Sequence, residues 1–331
     1  MKVNSAMART IVLFPGSLGD FLCFLPALQA AGKHQRNLVV VGRETTRAFL
    51  EAFVCFPRPV SIQTVSIDDA RFARLFVSCS LTRDADLDSF FLPGTSVLSW
   101  FGASLPQLKK NLEQYAPSRF TVFPFFSGQV ESHASVYYLS CLGEQGKGGV
   151  HRPPSVQLKE PWLQWGVEYW RQRGWESKHI LIIHPGSGGQ RKRWGAEGFR
   201  QVAEWWRNSR DREVLIVLGP AEAEEGEYWR RYGHVETSLA LPQVASILTR
   251  ATCYIGNDSG VSHLAGVVGA RGVVIFGPTR PEQWRPLGGG LQVIKNTRYR
   301  EKWPAREGIS LEEVTPEQVL ERLTIGLGCA R

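Results

Sequence analysis

The sequence predicts an α/β protein built from two Rossmann-like halves in tandem. Three observations predict it. Short apolar runs of strand length alternate with segments of helical period, the pattern of parallel βαβ units. The alternation breaks at residues 143–154, a stretch rich in Gly, Lys and Pro with no periodicity that reads as a linker, and then restarts. The length, 331 residues, suggests about two domains at roughly 150 residues each, and either half is long enough to close its own core. With 43% hydrophobic and 21% charged residues, a disordered chain, a fibre and a disulfide miniprotein are excluded.

The elements follow in order. Residues 11–14 are an apolar run that reads as a buried strand. Glycines and Asp20 come next, and Phe21, Phe24, Leu25 and Leu28 then mark one face of a helix. Residues 38–41 are the second strand, followed by a helix near 44–53. Residues 60–67 and 96–100 are further strands, with helices near 105–115 and 132–142. Beyond the linker a helix carries Trp162, Trp165 and Trp170. Residues 179–184 are a strand, and Phe199, Val202, Ala203 and Trp206 form a helix face. Strands are expected at 214–218, 253–256 and 273–276, and a terminal helix at 316–323. A cleft between the two halves is the expected binding place, because ligands of open α/β sheets lie beyond the carboxyl ends of the strands.

Lys and Arg number 39 against 31 Asp and Glu, a formal net charge of +8. Such a surplus favours polyanions or anionic surfaces without choosing among them. The six cysteines (23, 55, 79, 141, 253 and 329) include no CxxC pair, so neither a zinc ribbon nor a thiol redox site is expected. Cys23 and Cys253 sit in apolar runs and read as small core residues. The chain has no apolar run of membrane-spanning length and no signal-peptide pattern. A cytoplasmic protein is therefore expected, with attachment to a membrane surface left open. Eleven Trp are more than the length requires. Trp162, Trp165 and Trp170 suit an interfacial patch or, more ordinarily, packing of their helix.

Three turns could carry chemistry. The first, residues 15–20, joins a strand to a helix. Its glycines leave amides open at a helix N-terminus, where an anion is stabilised, although the spacing is not GxGxxG. Asp20 can be a general base for a substrate hydroxyl or the N-cap of the helix. The second turn, residues 184–194, is Gly-rich and ends in Arg191, Lys192 and Arg193. Small residues followed by cations suit a diphosphate; the bland alternative is a solvated basic loop. The third turn, residues 256–263, offers Asp258 as a helix cap, with Ser259 and Gly260 presenting amides to a phosphate or sugar. His263, one turn into that helix, reads by itself as a structural histidine. Residues 276–279 form a tight turn at another strand end on the same side of the sheet.

Taken together these segments resemble glycosyltransferase family 9, the heptosyltransferases of lipopolysaccharide core assembly. The resemblance rests on FPGSLGDFLCFLPAL (14–28), HPGSGGQRKRW (184–194), LGPAEAEE (218–225) and GNDSGVSHLAG (256–266) followed by VVIFGPTRPEQW (273–284). Residues 60–164 carry no matching motif. The resemblance implies a GT-B fold, two Rossmann-like domains facing a central cleft. Residues 1–155 would be the acceptor domain, 156–315 the donor domain and 316–331 a terminal helix packing back on the first. It implies an inverting, metal-independent enzyme that moves heptose from ADP-heptose to an inner-core acceptor.

Residue by residue, the resemblance makes Asp20 the general base and sets Lys192 beside the donor diphosphate. Ser187 and Gly188 fall in the phosphate-contacting loop and Glu222 near the donor ribose. Asp258, Ser259, Gly260 and His263, with Gly277 and Thr279, line the donor side, and Gly16, Ser17 and Gly19 form the acceptor-side loop. No cofactor and no metal are implied. The partners implied are a nucleotide-sugar and an acidic glycolipid, with no nucleic acid; such an enzyme would work in the cytoplasm, against the inner face of the membrane. Arg191 or Arg193 could share the role of Lys192. Lys109, Lys110, Arg43 and Arg47 are the candidate acceptor contacts, each also readable as part of a solvated face. Two competing readings stay open. One is a GT-B transferase with a different nucleotide-sugar. The other is an NAD(P)-dependent oxidoreductase, which lacks its glycine fingerprint here.

Overall fold

The structure is a computed structural model, and it describes residues 9–76, 85–92, 94–115, 119–126, 131–146, 153–288, 290–295 and 314–326. Cys79 and Cys329 and part of the expected linker, residues 147–152, lie outside the described residues. The chain divides into two compact units. The first comprises the described parts of Met1–Ser17, Phe24–Glu51 and Cys55–His151; the second comprises those of Leu18–Cys23, Ala52–Val54 and Arg152–Arg331.

In chain order the strands are β1 (Thr10–Leu13), β2 (Asn37–Gly42), β3 (Phe53–Val54), β4 (Ser61–Ser66), β5 (Ser96–Ser99), β6 (Arg119–Val122), β7 (Gln157–Leu158), β8 (His179–His184), β9 (Arg212–Val217), β10 (His234–Glu236), β11 (Cys253–Asn257), β12 (Arg271–Phe276) and β13 (Gly290–Lys295). The first unit holds a five-stranded sheet in the order β4-β2-β1-β5-β6, and every pairing is parallel. Its core gathers Ile11, Leu13, Val39, Val41, Val97, Leu108, Leu112 and Tyr115. A parallel sheet covered on both faces needs strands that are apolar throughout. The fully buried β1 meets that demand.

The second unit repeats the plan with six parallel strands in the order β10-β9-β8-β11-β12-β13. Strand order reverses between β8 and β11, which pair with Gly256 opposite His184. The segments leaving those two strands therefore flank a topological switch point, the place where open α/β sheets bind ligands. The helix Ala196–Arg207 buries Phe199, Val202, Ala203 and Trp206 against this sheet, the face expected from its periodicity. A short antiparallel ribbon of β3 and β7 also belongs to this unit.

The terminal helix, Pro316–Gly326, corrects the implied arrangement, in which it packs back on the first domain. Val319 and Leu323 are instead buried in the core of the second unit with Trp194, Phe199, Trp206 and Val314. The indole Nε1 of Trp194 donates to the Val314 carbonyl at 2.7 Å and fixes the approach to this helix.

Most of the tryptophan surplus is core. Trp100, Trp170, Trp175, Trp194, Trp206 and Trp229 are all buried. Trp170 meets Trp175 edge-on with centroids 5.6 Å apart, and Trp165 packs on Tyr169 at 5.0 Å. Their helix, Glu160–Gln172, lies against helix Leu241–Arg250. The Ser246 hydroxyl donates to the Trp162 carbonyl at 2.6 Å, and a Cβ on Gly166 would lie 2.1 Å from that hydroxyl oxygen. Packing accounts for Trp170 and Trp175, which are buried, while Trp162 and Trp165 are half-buried.

Candidate functional site: a carboxylate at the switch point

The turns after β8, β11 and β12 lie side by side because those strands are neighbours in the sheet. Asn257, the last residue of β11, clamps two of them. Its side-chain amide donates to the Pro185 carbonyl at 2.7 Å, and its side-chain oxygen accepts the Trp194 N–H at 2.9 Å. The side chain is fully buried, so each of these bonds satisfies a backbone group that water cannot reach.

Asp258 follows, with its own N–H donated to Ile275 of β12 at 2.9 Å. It is not the expected helix cap. Ser259 caps helix Gly260–Val267 by accepting the Ser262 N–H at 3.3 Å. The Asp258 carboxylate is thus left for other partners. Its Oδ2 accepts from Lys192 Nζ at 2.7 Å and from the hydroxyl of Thr279. The Ser187 hydroxyl donates to the Asp258 carbonyl at 2.7 Å. Four residues singled out in the sequence therefore meet at the switch point, Lys192 and Thr279 on the buried Asp258 carboxylate and Ser187 on the same residue's carbonyl.

A second polar chain supports the cap. Ser262 Oγ donates to the Asn257 backbone carbonyl at 2.5 Å, so the Tyr254 hydroxyl, 2.8 Å away, donates to Ser262. Burial pushes the Tyr254 phenol up, which keeps it a donor. Sequence reasoning gives no role to Tyr254 or Asn257. An Asn inside a strand-end turn is the only signal that could flag the latter, and it does not say which backbone groups lie within reach.

Glu222 belongs to a separate cluster. Its buried carboxylate accepts the Gly219 N–H at 3.2 Å and pairs with Arg193, which also reaches Glu225 at 3.1 Å. A Cβ on Gly186 would lie 2.6 Å from this carboxylate, so glycine is required for the turn to pass so close. Lys192 and Arg193 are therefore each committed to a carboxylate. His184, buried, binds the Val217 carbonyl through Nδ1 at 2.8 Å. Burial holds its pKa below the usual value, so it stays neutral and structural.

The first turn brings Asp20 to the same unit. The helix begins at Leu18, so Asp20 sits inside its first turn and is not the N-cap. Two glycines set this approach. A Cβ on Gly19 would lie 2.9 Å from His263 Cδ2, and a Cβ on Gly260 would lie 3.0 Å from the Leu18 Cβ. Two helix N-termini thus touch through glycine backbone, and both favour negative charge. His263 is buried and its pKa is lowered, chiefly by burial, with Asp258 and Asp20 opposing that and Lys192 adding to it. Gly16 is buried and Ser17 exposed. Gly277 is buried at the end of β12. Gly188 borders open space and makes none of these contacts.

The first unit has a cavity of about 380 Å³ whose walls include Pro15, Arg43, Asp68, Asp69 and Phe101. It too lies beyond the carboxyl ends of parallel strands. Arg43 Nε donates to the Pro15 carbonyl at 2.7 Å. Arg47 is paired with Glu44 and Glu51, and Lys109 reaches Glu113 at 4.0 Å. Lys110 is exposed on the same helix as Lys109. Among the candidate acceptor contacts, Arg43 is on the wall of this cavity. Among the described residues no helix is long and apolar enough to cross a membrane.

With this geometry in place, likeness to known proteins becomes informative. Residues 151–312 match the sequence profile described as Glycosyltransferase family 9 (heptosyltransferase). The matched residues, just under half of the chain, belong to glycosyltransferase family 9. They contain all of the Lys192–Asp258 and Arg193–Glu222 geometry. The chain is 31% identical over 132 residues to lipopolysaccharide heptosyltransferase 2 of Escherichia coli (strain K12), covering 38% of this chain and 37% of that relative. It spans about half or less of the length of the curated relatives it matches.

In fold the chain is similar over nearly all of its length to solved structures. A glycosyl transferase family 9 protein from Veillonella parvula DSM 2008 superposes with a TM-score of 0.75 at 18% identity, covering 97% of both chains. The E. coli ADP-heptose lps heptosyltransferase II does so with a TM-score of 0.70 at 17% identity, covering 96% of this chain and 98% of that one. The fold is GT-B.

Proposed function

We propose that this chain is a heptosyltransferase that moves a heptose from a nucleotide-activated donor, ADP-heptose, to a lipopolysaccharide core acceptor. The observation that supports it most is the Lys192–Asp258–Thr279 constellation at the switch point of a family 9 half. In the proposed reaction the acceptor hydroxyl attacks the anomeric carbon from the face opposite the diphosphate. Its oxygen forms the new glycosidic bond, the bond from the anomeric carbon to the phosphate oxygen breaks, and configuration inverts. Asp20 takes the hydroxyl proton. Lys192 and the N-terminal amides around Ser259 and Gly260 stabilise the departing ADP as its charge develops. Ser187, Gly188, Gly277 and Thr279 line the donor phosphates, Glu222 lies near the ribose, and His263 faces the donor.

In this reading the cation that offsets the leaving group is a side chain, so the reaction runs without metal. The acceptor sugar enters the cavity beside Arg43 and Phe101, where a guanidinium suits an acidic sugar and the ring suits an apolar sugar face. The work is done on the cytoplasmic side of the membrane. A donor screen with mass-spectrometric detection of hydrolysis and transfer tests the proposal. ADP-heptose turnover in the presence of excess EDTA supports it. Turnover confined to a UDP- or GDP-sugar moves the assignment to another GT-B transferase, and strong EDTA inhibition reversed by Mg²⁺ removes the metal-free step.

A further inference from the structure

Cys23 reads in the sequence as a small core residue, and it is fully buried. Its sulfur, however, lies 3.6 Å from Nδ1 of His263, within the longer reach of a thiol donor. The two residues are 240 positions apart, and both belong to the second unit. The opposite edge of the imidazole, Cδ2 and Nε2, lies against Gly19, where a Cβ would come within 2.9 and 3.3 Å of those atoms. Nε2 makes no hydrogen bond among the described residues. The ring is thus held on one nitrogen and unengaged on the other, beside the turn that carries Asp20.

Which nitrogen carries the proton is set by the partner of the other. A thiol is a weak donor and a still weaker acceptor, whereas an unprotonated imidazole nitrogen accepts well. Beside the Cys23 thiol, the charged groups that act on the ring are Asp258, Asp20 and Lys192. With the thiol donating at Nδ1, the proton of the neutral ring falls on Nε2, and two carboxylates against one ammonium favour a donor on the ring. Burial and the same two carboxylates push the Cys23 thiol well up, so it remains S–H.

We propose that Cys23 is a positioning residue: its thiol donates to Nδ1 of His263 and so fixes the neutral Nε2–H tautomer, which presents one hydrogen-bond donor to an oxygen of the bound nucleotide-sugar. The tautomer follows from the contacts alone. Its use in donor binding rests on the heptosyltransferase reading.

Two measurements separate these parts. Long-range ¹H–¹⁵N spectra of protein labelled at histidine nitrogens, at pH 7.5, report each ring's tautomer, and a His263→Asn spectrum identifies the signals. The expected pattern is protonated Nε2 and unprotonated Nδ1 in the parent and in Cys23→Ser, and a mixture in Cys23→Ala. A protonated Nδ1 in the parent overturns the proposal, as does an unchanged ring in Cys23→Ala; the parent spectrum decides even where a variant fails to fold. In steady-state transfer, Cys23→Ala is expected to raise the donor KM about three- to tenfold, the worth of one hydrogen bond. The acceptor KM stays unchanged and Cys23→Ser recovers the donor KM. Equal losses in both KM values in Cys23→Ala and Cys23→Ser overturn the binding role. A parent with no transferase activity and an Nε2–H spectrum sinks the functional reading and leaves the tautomer standing.

Discussion

Lys192 Nζ lies 2.7 Å from Asp258 Oδ2, with the carboxylate buried and the lysine about a quarter exposed. The two come from turns 66 residues apart that meet because β8 and β11 are neighbours. The pair stands beside the N-terminus of the helix that Ser259 caps, and the proposed function has the lysine shared between carboxylate and donor phosphate. Lys192→Ala is expected to cost about 10²- to 10³-fold in turnover, the scale of one lost stabilising donor. It also leaves Asp258 with Thr279 alone, at about 1–3 kcal/mol of stability. Lys192→Arg keeps the charge but not the compact geometry and is expected to recover stability more than rate. Steady-state kinetics and denaturant unfolding check both; parent-like kinetics in Lys192→Ala removes the lysine from the chemistry.

Asp20 sits in the first turn of its helix, against the helix that Ser259 caps. If it takes the acceptor proton, its amide counterpart loses the step and keeps the shape. Asp20→Asn is expected to lower turnover more than tenfold, on the lower side of general-base contributions of about 10²–10⁴, with donor affinity by calorimetry little changed. Transfer at more than a tenth of the parent rate would assign the base elsewhere.

How much of this is legible in the sequence depends on the range of the interaction. The buried strands β1, β2 and β8 and the amphipathic helix Ala196–Arg207 are written in apolar spacing, which is local. Strands β10 and β13 escape that reading, the first for being three residues long and the second for mixing polar with apolar positions at a sheet edge. The candidate turns are readable as turns, but their pairings are not. That Arg193 goes to Glu222 and Lys192 to Asp258 depends on which strands are neighbours, and no local pattern states strand order. Cys23 shows the same limit, since its apolar surroundings are visible in sequence and its histidine partner is not. The terminal helix is misplaced for a related reason: Val319 and Leu323 mark a buried face but do not name the core that buries them.

Asn257 offers a test of the clamp between turns. Asn257→Leu removes the acceptor of the Trp194 N–H and the donor to the Pro185 carbonyl while keeping similar volume. Each orphaned buried group costs about 1–3 kcal/mol, so a loss of about 2–5 kcal/mol is expected by chemical denaturation. Asn257→Asp retains the acceptor but turns a carboxylate oxygen towards the Pro185 carbonyl, and it is expected to be destabilised as well. A change below about 0.5 kcal/mol in both variants would mean that the turns are held without the clamp.

Acid sensitivity follows from two buried histidines. His184 and His263 both have lowered pKa values in the folded chain, each first by burial. Unfolded, each returns to about 6.5. Below that pH the unfolded chain binds protons that the folded chain refuses, so stability present above about pH 6.5 is lost as pH falls. Between its folded and unfolded pKa, each histidine contributes a slope of up to about 1.4 kcal/mol per pH unit. Denaturant unfolding between pH 8 and pH 5 is expected to show stability falling below about pH 6.5. His263→Gln, which cannot titrate, is expected to have a shallower slope while His184 maintains the rest. Parallel curves for parent and variant would place the acid sensitivity outside the Cys23–His263–Asp258 region.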